Sequence, residues 1–314
     1  MIRRASADLF PAHGSCPTST LNRPNRKQRP PSKAYRSIGL ALLSFGLAPL
    51  LVFALPIAAG AAPIVFEGFG ADAAAIQASV DAFRAALGNP NNGNAPGPLA
   101  NGRREINWDG GGQATTISPT PFNGFQNIRG ALFTTSGTGF VQAPPSGLAA
   151  DPTFGNPTYA GFDVLSSARL FSPIGSTLTN VTFSVPGTNG GTPATVTGFG
   201  AVFSDVDASA NASLSFVNAN GASLGTFFVP TANNGLSFLG LLFPGEAISQ
   251  IQIISGNVPL GPGETGAIDI IVMDDFLYSE PAVVPEPATL LLLGVTAAGL
   301  GVARSRRGRR KQQP

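Results

Sequence analysis

From Glu105 to Tyr278 the chain runs in short apolar stretches separated by clusters of turn residues. Leu214 and Phe216 alternate with Ser213 and Ser215, and Ile251 and Ile253 alternate with Gln250 and Gln252. A period of two marks strands with one buried face. The candidate strands are REINWDG, RGALFTT, GTGFVQA, VTFSVPG, ATVTGFGAVFSDVD, ASLSFVNANG, ASLGTFFVP, LSFLGLLF, ISQIQIISG and AIDIIVMDDFLY. Asn220-Gly221 lies between two of these runs and predicts a hairpin with a type I′ turn, because both residues accept positive φ. Many short strands without a fixed repeat predict a mainly β protein, a single antiparallel β-sandwich of jelly-roll-like form, rather than a propeller or solenoid.

The residues before this region follow a different period. Ile76, Val80, Phe83 and Leu87 recur at helical spacing, predicting one N-terminal amphipathic helix from about Asp72 to Leu87 that packs on a larger partner. Asp72 is placed to cap its start, and Gly88 with Asn89-Pro90 ends it. Asn89 to Gly102 and Gln142 to Pro157 are rich in Pro, Asn and Gly and read as loops.

Both ends are long apolar segments beside basic clusters. Ile38 to Ala59 follows a basic leader and leads into Ala59, Gly60, Ala61 and Ala62, the pattern of a secretory signal cut by signal peptidase near Ala61 or Ala62. A permanent N-terminal anchor is the alternative. At the other end Pro285, Glu286 and Pro287 precede the apolar run Ala288 to Ala303, which covers roughly 24 Å as a helix, enough to insert when its flanking arginines snorkel. Arg304, Arg306, Arg307, Arg309, Arg310 and Lys311 follow as a stop-transfer cluster that stays on the cytoplasmic side. The order divides the chain into a leader and signal (1–61), a helix and loop (62–101), the β-sandwich (102–280) and a C-terminal transmembrane segment (281–314). An ordinary membrane anchor is one reading of the last segment. Its motif, span and basic end together resemble the sorting signal of the PEP-CTERM family. That resemblance implies a bacterial exported protein, held briefly in the inner membrane by its C-terminal helix and then cut by a membrane peptidase of the exosortase type.

Charge looks different once the ends are set aside. Of nineteen Lys and Arg, eight precede Ile38 and six follow Ala303, leaving only Arg84, Arg103, Arg104, Arg129 and Arg169. Against these stand sixteen of the seventeen acids, so residues 38–303 carry a net charge of −11 although the whole chain is at +2. Such a body cannot neutralise a phosphate backbone, and no nucleic-acid partner is expected. The single histidine, His13, and the single cysteine, Cys16, also lie in the leader. The body therefore has no Ser-His-Asp or Cys-His chemistry, no disulfide and no His or Cys metal ligand.

Carboxylates are the remaining candidates. Asp205 and Asp207 in VFSDVDAS, and Asp274 and Asp275 in VMDDFLYSE with Asp269 and Glu280 nearby, stand at strand ends, where oxygen ligands and loop carbonyls suit a structural calcium. On a regular strand Asp205 and Asp207 share a face, whereas Asp274 and Asp275 point to opposite faces. Solvated acids that mark loop starts are the plainer reading. Paired carboxylates can also cleave glycosides when set roughly 5–10 Å apart. Trp108, Tyr159 and Tyr278 are the only Trp and Tyr in the body, and Trp108 shares a predicted strand face with Ile106, which favours core packing over a sugar platform.

RREINWDGGG, RGALFTTSGTGF, RLFSPIG, GFGAVFSDVD, LGTFFVP, LSFLGLLF and VMDDFLYSEP resemble a group of exported bacterial β-rich proteins that often end in the same sorting signal. The resemblance implies the domain boundary and a single sandwich, and no activity. The expected role is non-enzymatic binding or support in the cell envelope or exopolysaccharide matrix, with no cofactor beyond a structural calcium. The alternative is a carboxylate-based glycoside hydrolase or lyase acting on extracellular polysaccharide.

Overall fold

A computed structural model describes residues 62–145, 156, 158–159 and 161–283. The signal-peptide region, most of the loop 146–157, the motif at 285–287 and the basic cluster at 304–311 lie outside the described residues. Among the described residues no helix is long and apolar enough to cross a membrane.

In chain order the elements begin with β1 (Ile64–Gly70), α1 (Ala73–Leu87), β2 (Arg103–Ile106), β3 (Thr116–Pro119), α2 (Gln126–Arg129), β4 (Ala131–Thr134), β5 (Gly139–Ala143) and β6 (Leu170–Ile174). They continue with β7 (Leu178–Ser184), β8 (Pro193–Thr195), β9 (Gly198–Val206), β10 (Ala212–Asn218), β11 (Ser223–Phe228), β12 (Ala232–Leu242), β13 (Ile248–Ser255), β14 (Val272–Ser279) and β15 (Ala282–Val283). One sheet has the order β1-β12-β9-β14-β6-β5-β3, with β2 also paired to β14. The other runs β11-β10-β13-β7-β8-β15, with β4 paired to β7. Every pairing between these strands is antiparallel, so the predicted sandwich is the observed fold.

The two sheets meet across a core rich in phenylalanine. Phe140, Phe171, Phe199 and Phe276 from the first sheet pack against Phe133, Phe183, Leu214 and Ile251 from the second. Trp108 joins this layer, 1% exposed and stacked on Phe171 at 3.8 Å and 5°. Its indole N–H donates to the Asp274 carbonyl at 3.1 Å, so the core reading of Trp108 holds.

The first sheet is also covered on its outer side. Ile76, Val80, Phe83 and Leu87 of α1, the four residues of the predicted stripe, are all buried against Val202, Leu236, Phe238 and Leu277. Asp72 caps the helix by accepting from the Ala75 N–H at 3.0 Å. Phe83 fits because the sheet beneath it lacks side chains. A Cβ on Gly200 would lie 2.7 Å from its ring, and one on Gly240 would lie 2.9 Å away. A second cover is built from the segment around Tyr159 and Phe162 and from the long connection between β13 and β14, through Val258, Leu260 and Ile270. Consequently every residue of β9 and of β14 is buried.

Two expectations change in detail. The hairpin β10–β11 forms, but of the Asn220-Gly221 pair Gly221 alone takes positive φ, at 78°. Asn220 does not, because the Asn218 side chain accepts from the Asn220 and Ala222 N–H groups and organises a longer loop in place of the type I′ turn. The run ATVTGFGAVFSDVD is not one strand: β8 pairs in the second sheet and β9 in the first, and the chain crosses between them at Val196 and Thr197.

The glycine cradle under Phe83 yields a direct test. Phe83→Ala empties it and is expected to cost about 3–5 kcal/mol, read as a lower urea midpoint. Asp72→Ala removes only the cap and should cost about 1 kcal/mol.

Candidate functional site

Both acidic pairs sit at irregularities of the buried central strands. Along β9 and β12 the register moves from Ser204↔Leu236 to Val206↔Ala232, so extra residues of β12 bulge opposite Asp205. Asp205 itself takes φ 66°, and Asn234 across from it takes φ 52°. The left-handed turn re-aims the Asp205 side chain, as bulges do near functional sites. Its Oδ1 accepts from the Asn234 N–H at 2.7 Å. Gly161 lies so close that a Cβ there would stand 2.4 Å from Oδ2.

Asp207 follows on the surface, and the connection between β13 and β14 brings two further acids to it. Carboxylate oxygens of Asp207, Glu264 and Asp269 all lie within 4.8 Å of one another. Asp269 is 2% exposed, and its Oδ2 accepts from the Ala208 N–H at 3.1 Å and Asn211 Nδ2 at 2.9 Å. Its Oδ1 has no hydrogen-bond partner among the described residues. Glu264 Oε1 accepts from the Ile270 N–H at 2.9 Å. Burial, reinforced by the charges of Asp205, Asp207 and Asp269, pushes Glu264 up to about 7. Burial likewise raises Asp205, against the pull of the Asn234 N–H, and raises Asp207. Among the described residues no arginine forms an ion pair with these four acids. The Asp205 and Glu264 carboxyls instead hydrogen-bond to each other, which places a proton between them.

Asp274 and Asp275 form a separate group. Against β9 the register of β14 jumps from Met273↔Phe203 to Phe276↔Ala201, one extra residue on β14. That bulge cancels the alternation that predicts opposite faces, and both side chains reach Ser166. Asp274 Oδ2 accepts from the N–H groups of Leu165 at 2.7 Å and Ser166 at 3.2 Å. Ser166 Oγ lies 2.7 Å from Asp275 Oδ1 and 3.0 Å from Asp109 Oδ2. One hydroxyl has one hydrogen, which the two carboxylates share. Burial drives Asp274 well above the carboxylate range and Asp275 to about 6. Arg84 on α1 approaches Asp275 at 3.5 Å and Glu105 at 3.0 Å. The four aspartates named from the sequence therefore divide between two sites, and Asp269 belongs with Asp205 and Asp207 rather than with its neighbours in sequence. Sequence reasoning gave no role to Glu264, in GPGETG, or to Asp109; their long-range partners leave no local pattern.

Glu280 has a third fate. It receives Arg104 in a bidentate pair, both contacts 2.7 Å, and Arg104 is fully buried. Beside it lies a groove of about 670 Å³ lined by Leu87, Leu99, Thr197, Glu246 and Val283. Tyr159 and Tyr278 are buried with Trp108, so none of the three presents an open platform to a sugar.

The family model of the PEP-CTERM protein-sorting motif matches residues 283–307. The chain thus carries the signal of exported proteins that are anchored at the C-terminus and recognised by an exosortase. Comparison with curated proteins returns no match.

The Ser166 cluster sets a pH dependence. Folded-state values of Asp274 and Asp275 lie above the ordinary 3.8, so between about pH 4 and pH 6 the folded protein holds more protons than the unfolded chain. Stability from this cluster is present at the acid end and is lost as pH rises through that window. Asp274→Asn, which supplies a neutral group at the same place, is expected to flatten the slope of melting temperature against pH between 4 and 6.

Proposed function

We propose that the mature protein is a non-enzymatic binding or structural component of the cell envelope or its exopolysaccharide matrix, delivered there by exosortase processing. The observation that carries this reading is the position of the sorting signal. It begins where β15 ends on the edge of β8, so the address is attached directly to the sandwich. Signal peptidase at the N-terminus and the exosortase at the C-terminus are the processing partners. Extracellular polysaccharide is the proposed ligand, and the groove beside Val283 is the concave surface best placed to meet it.

Geometry weighs against the hydrolase alternative. Retaining glycosidases hold their carboxyl groups ~5–5.5 Å apart and inverting ones ~6.5–9.5 Å apart. One oxygen from each of Asp207, Glu264 and Asp269 lies within 4.8 Å of the others, which suits three ligands converging on one point better than two carboxyls held apart across a glycosidic bond. Asp274 and Asp275 are committed to buried hydrogen bonds.

Replacing Pro285, Glu286 and Pro287 by alanine should leave the full-length C-terminus on protein in the membrane fraction, detected by intact mass. The unaltered protein should lose it in a host with the peptidase. Equal processing of both would overturn the sorting part. Incubation with the host's polysaccharide should give no new reducing ends or unsaturated sugars. Their appearance, and disappearance in Glu264→Gln, would establish the hydrolase or lyase instead.

A further inference from the structure

We propose that Asp207, Glu264 and Asp269, with Asp205 behind them, form a calcium site that clamps the connection between β13 and β14 onto the end of β9. Acidic clusters are common on protein surfaces, and charge alone would not make this one a site. The deciding feature is Asp269. Its residue is 2% exposed, Oδ2 is satisfied by two donors, and Oδ1 is left without any among the described residues. A buried carboxylate oxygen cut off from donors is disfavoured unless a proton or a cation meets it; Asp274 Oδ1 is likewise unpartnered, but among the described residues only Asp269 of the two has two further carboxylate oxygens within 4.8 Å. One carboxylate oxygen each of Asp207 and Glu264 lies within 4.8 Å of an oxygen of the same Asp269 carboxylate.

The donor chemistry selects the ion. Only oxygen is offered, in a body without histidine or cysteine, which points to a hard cation. Calcium binds oxygen at roughly 2.3–2.6 Å, so ligands on opposite sides of one ion stand about 5 Å apart. Mutual separations of up to 4.8 Å fit within that shell. Magnesium is less well suited, because it keeps most of its water and usually takes one or two carboxylates. The glycine-rich 256–271 connection, with Gly256, Gly261, Gly263 and Gly266, suits calcium's irregular coordination, and its carbonyls can complete it.

Binding would tie together parts of the outer cover that are distant in sequence. Asp207 follows β9, whereas Glu264 and Asp269 lie on the connection before β14. That connection is bonded to the segment around Tyr159: the Gly261 N–H donates to the Tyr159 hydroxyl at 2.9 Å, and the Glu264 N–H donates to Thr158 Oγ1 at 2.9 Å. Holding the acids therefore holds the whole layer over β9 and β14.

The test uses exported protein freed of metal by chelation, and it is independent of whether the tail is cut. Calorimetric titration with CaCl₂ should show one ion per chain, half-saturating in roughly the 0.1–1 mM range of extracellular sites. At 10 mM Ca²⁺ the melting temperature should rise by roughly 3–10 °C, reversed by EGTA, with a smaller rise in equal Mg²⁺. Asp207→Asn, at an exposed position whose loss the fold tolerates, should abolish the rise. Asp269→Asn should do the same. Asp274→Asn should retain it. Absence of binding heat and of a thermal shift in the unaltered protein, or a full calcium response in Asp207→Asn, would overturn the proposal.

Discussion

Burial of β9 and β14 on both faces is the constraint on which the rest of the structure depends. A strand in an ordinary sandwich keeps one face in water, where its polar side chains need no special partner. Here the far face lies beneath α1 and the second cover. Space is made with glycine, as at Gly200 and Gly240 under Phe83. Polar side chains at the strand ends need partners from the protein itself: the covering segment provides Leu165 and Ser166 to Asp274 and the Asp163 backbone to Ser204, and the bulged β12 provides Asn234 to Asp205.

The two acidic groups show how differently one composition can be resolved. Around Ser166 the charge is handled internally, with burial raising Asp274 and Asp275 and with Arg84 at the rim. Around Asp269 no arginine among the described residues is within pairing distance. With only five arginines and no lysine, the exported body has few cations to distribute. Arg104 and Arg169 are spent inside, the first on Glu280 and the second on the Trp108 carbonyl, leaving the Asp269 group without an internal counter-charge.

Much of the fold was legible because local period and burial agree. The stripe of Ile76, Val80, Phe83 and Leu87 needed only a partner, and Ile251 and Ile253 face inward as their alternation implies. β1 escaped notice: its IVFEGFG has Ile64, Val65 and Phe69 exposed at the sheet edge, so no alternation sets apart a buried face. β6 was hidden by Pro173 inside LFSPI, and β3 by its four-residue length. Asp205 with Asp207 and Asp274 with Asp275 were legible as chemistry but not as geometry. A single bulged residue in β14 reverses the period-two prediction, and nothing in VMDDF announces it. Glu264 became part of a site only through a fold that brings residue 264 beside residue 207.

The bidentate pair of Arg104 and Glu280 has a mechanical meaning. Glu280 is the first residue after β14, and Arg104 also donates to the carbonyls of Gly93, Ala95 and Ile128, so the clasp grips the 89–102 loop and helix α2 at the point where the chain leaves the sheet. A pull on the tail, as during extraction from a membrane, first meets the short β15–β8 pair and then this clasp. Beyond it the load enters β14, held along its length by β9 and β2, and is shared in shear by the interior of the sheet rather than peeling an edge.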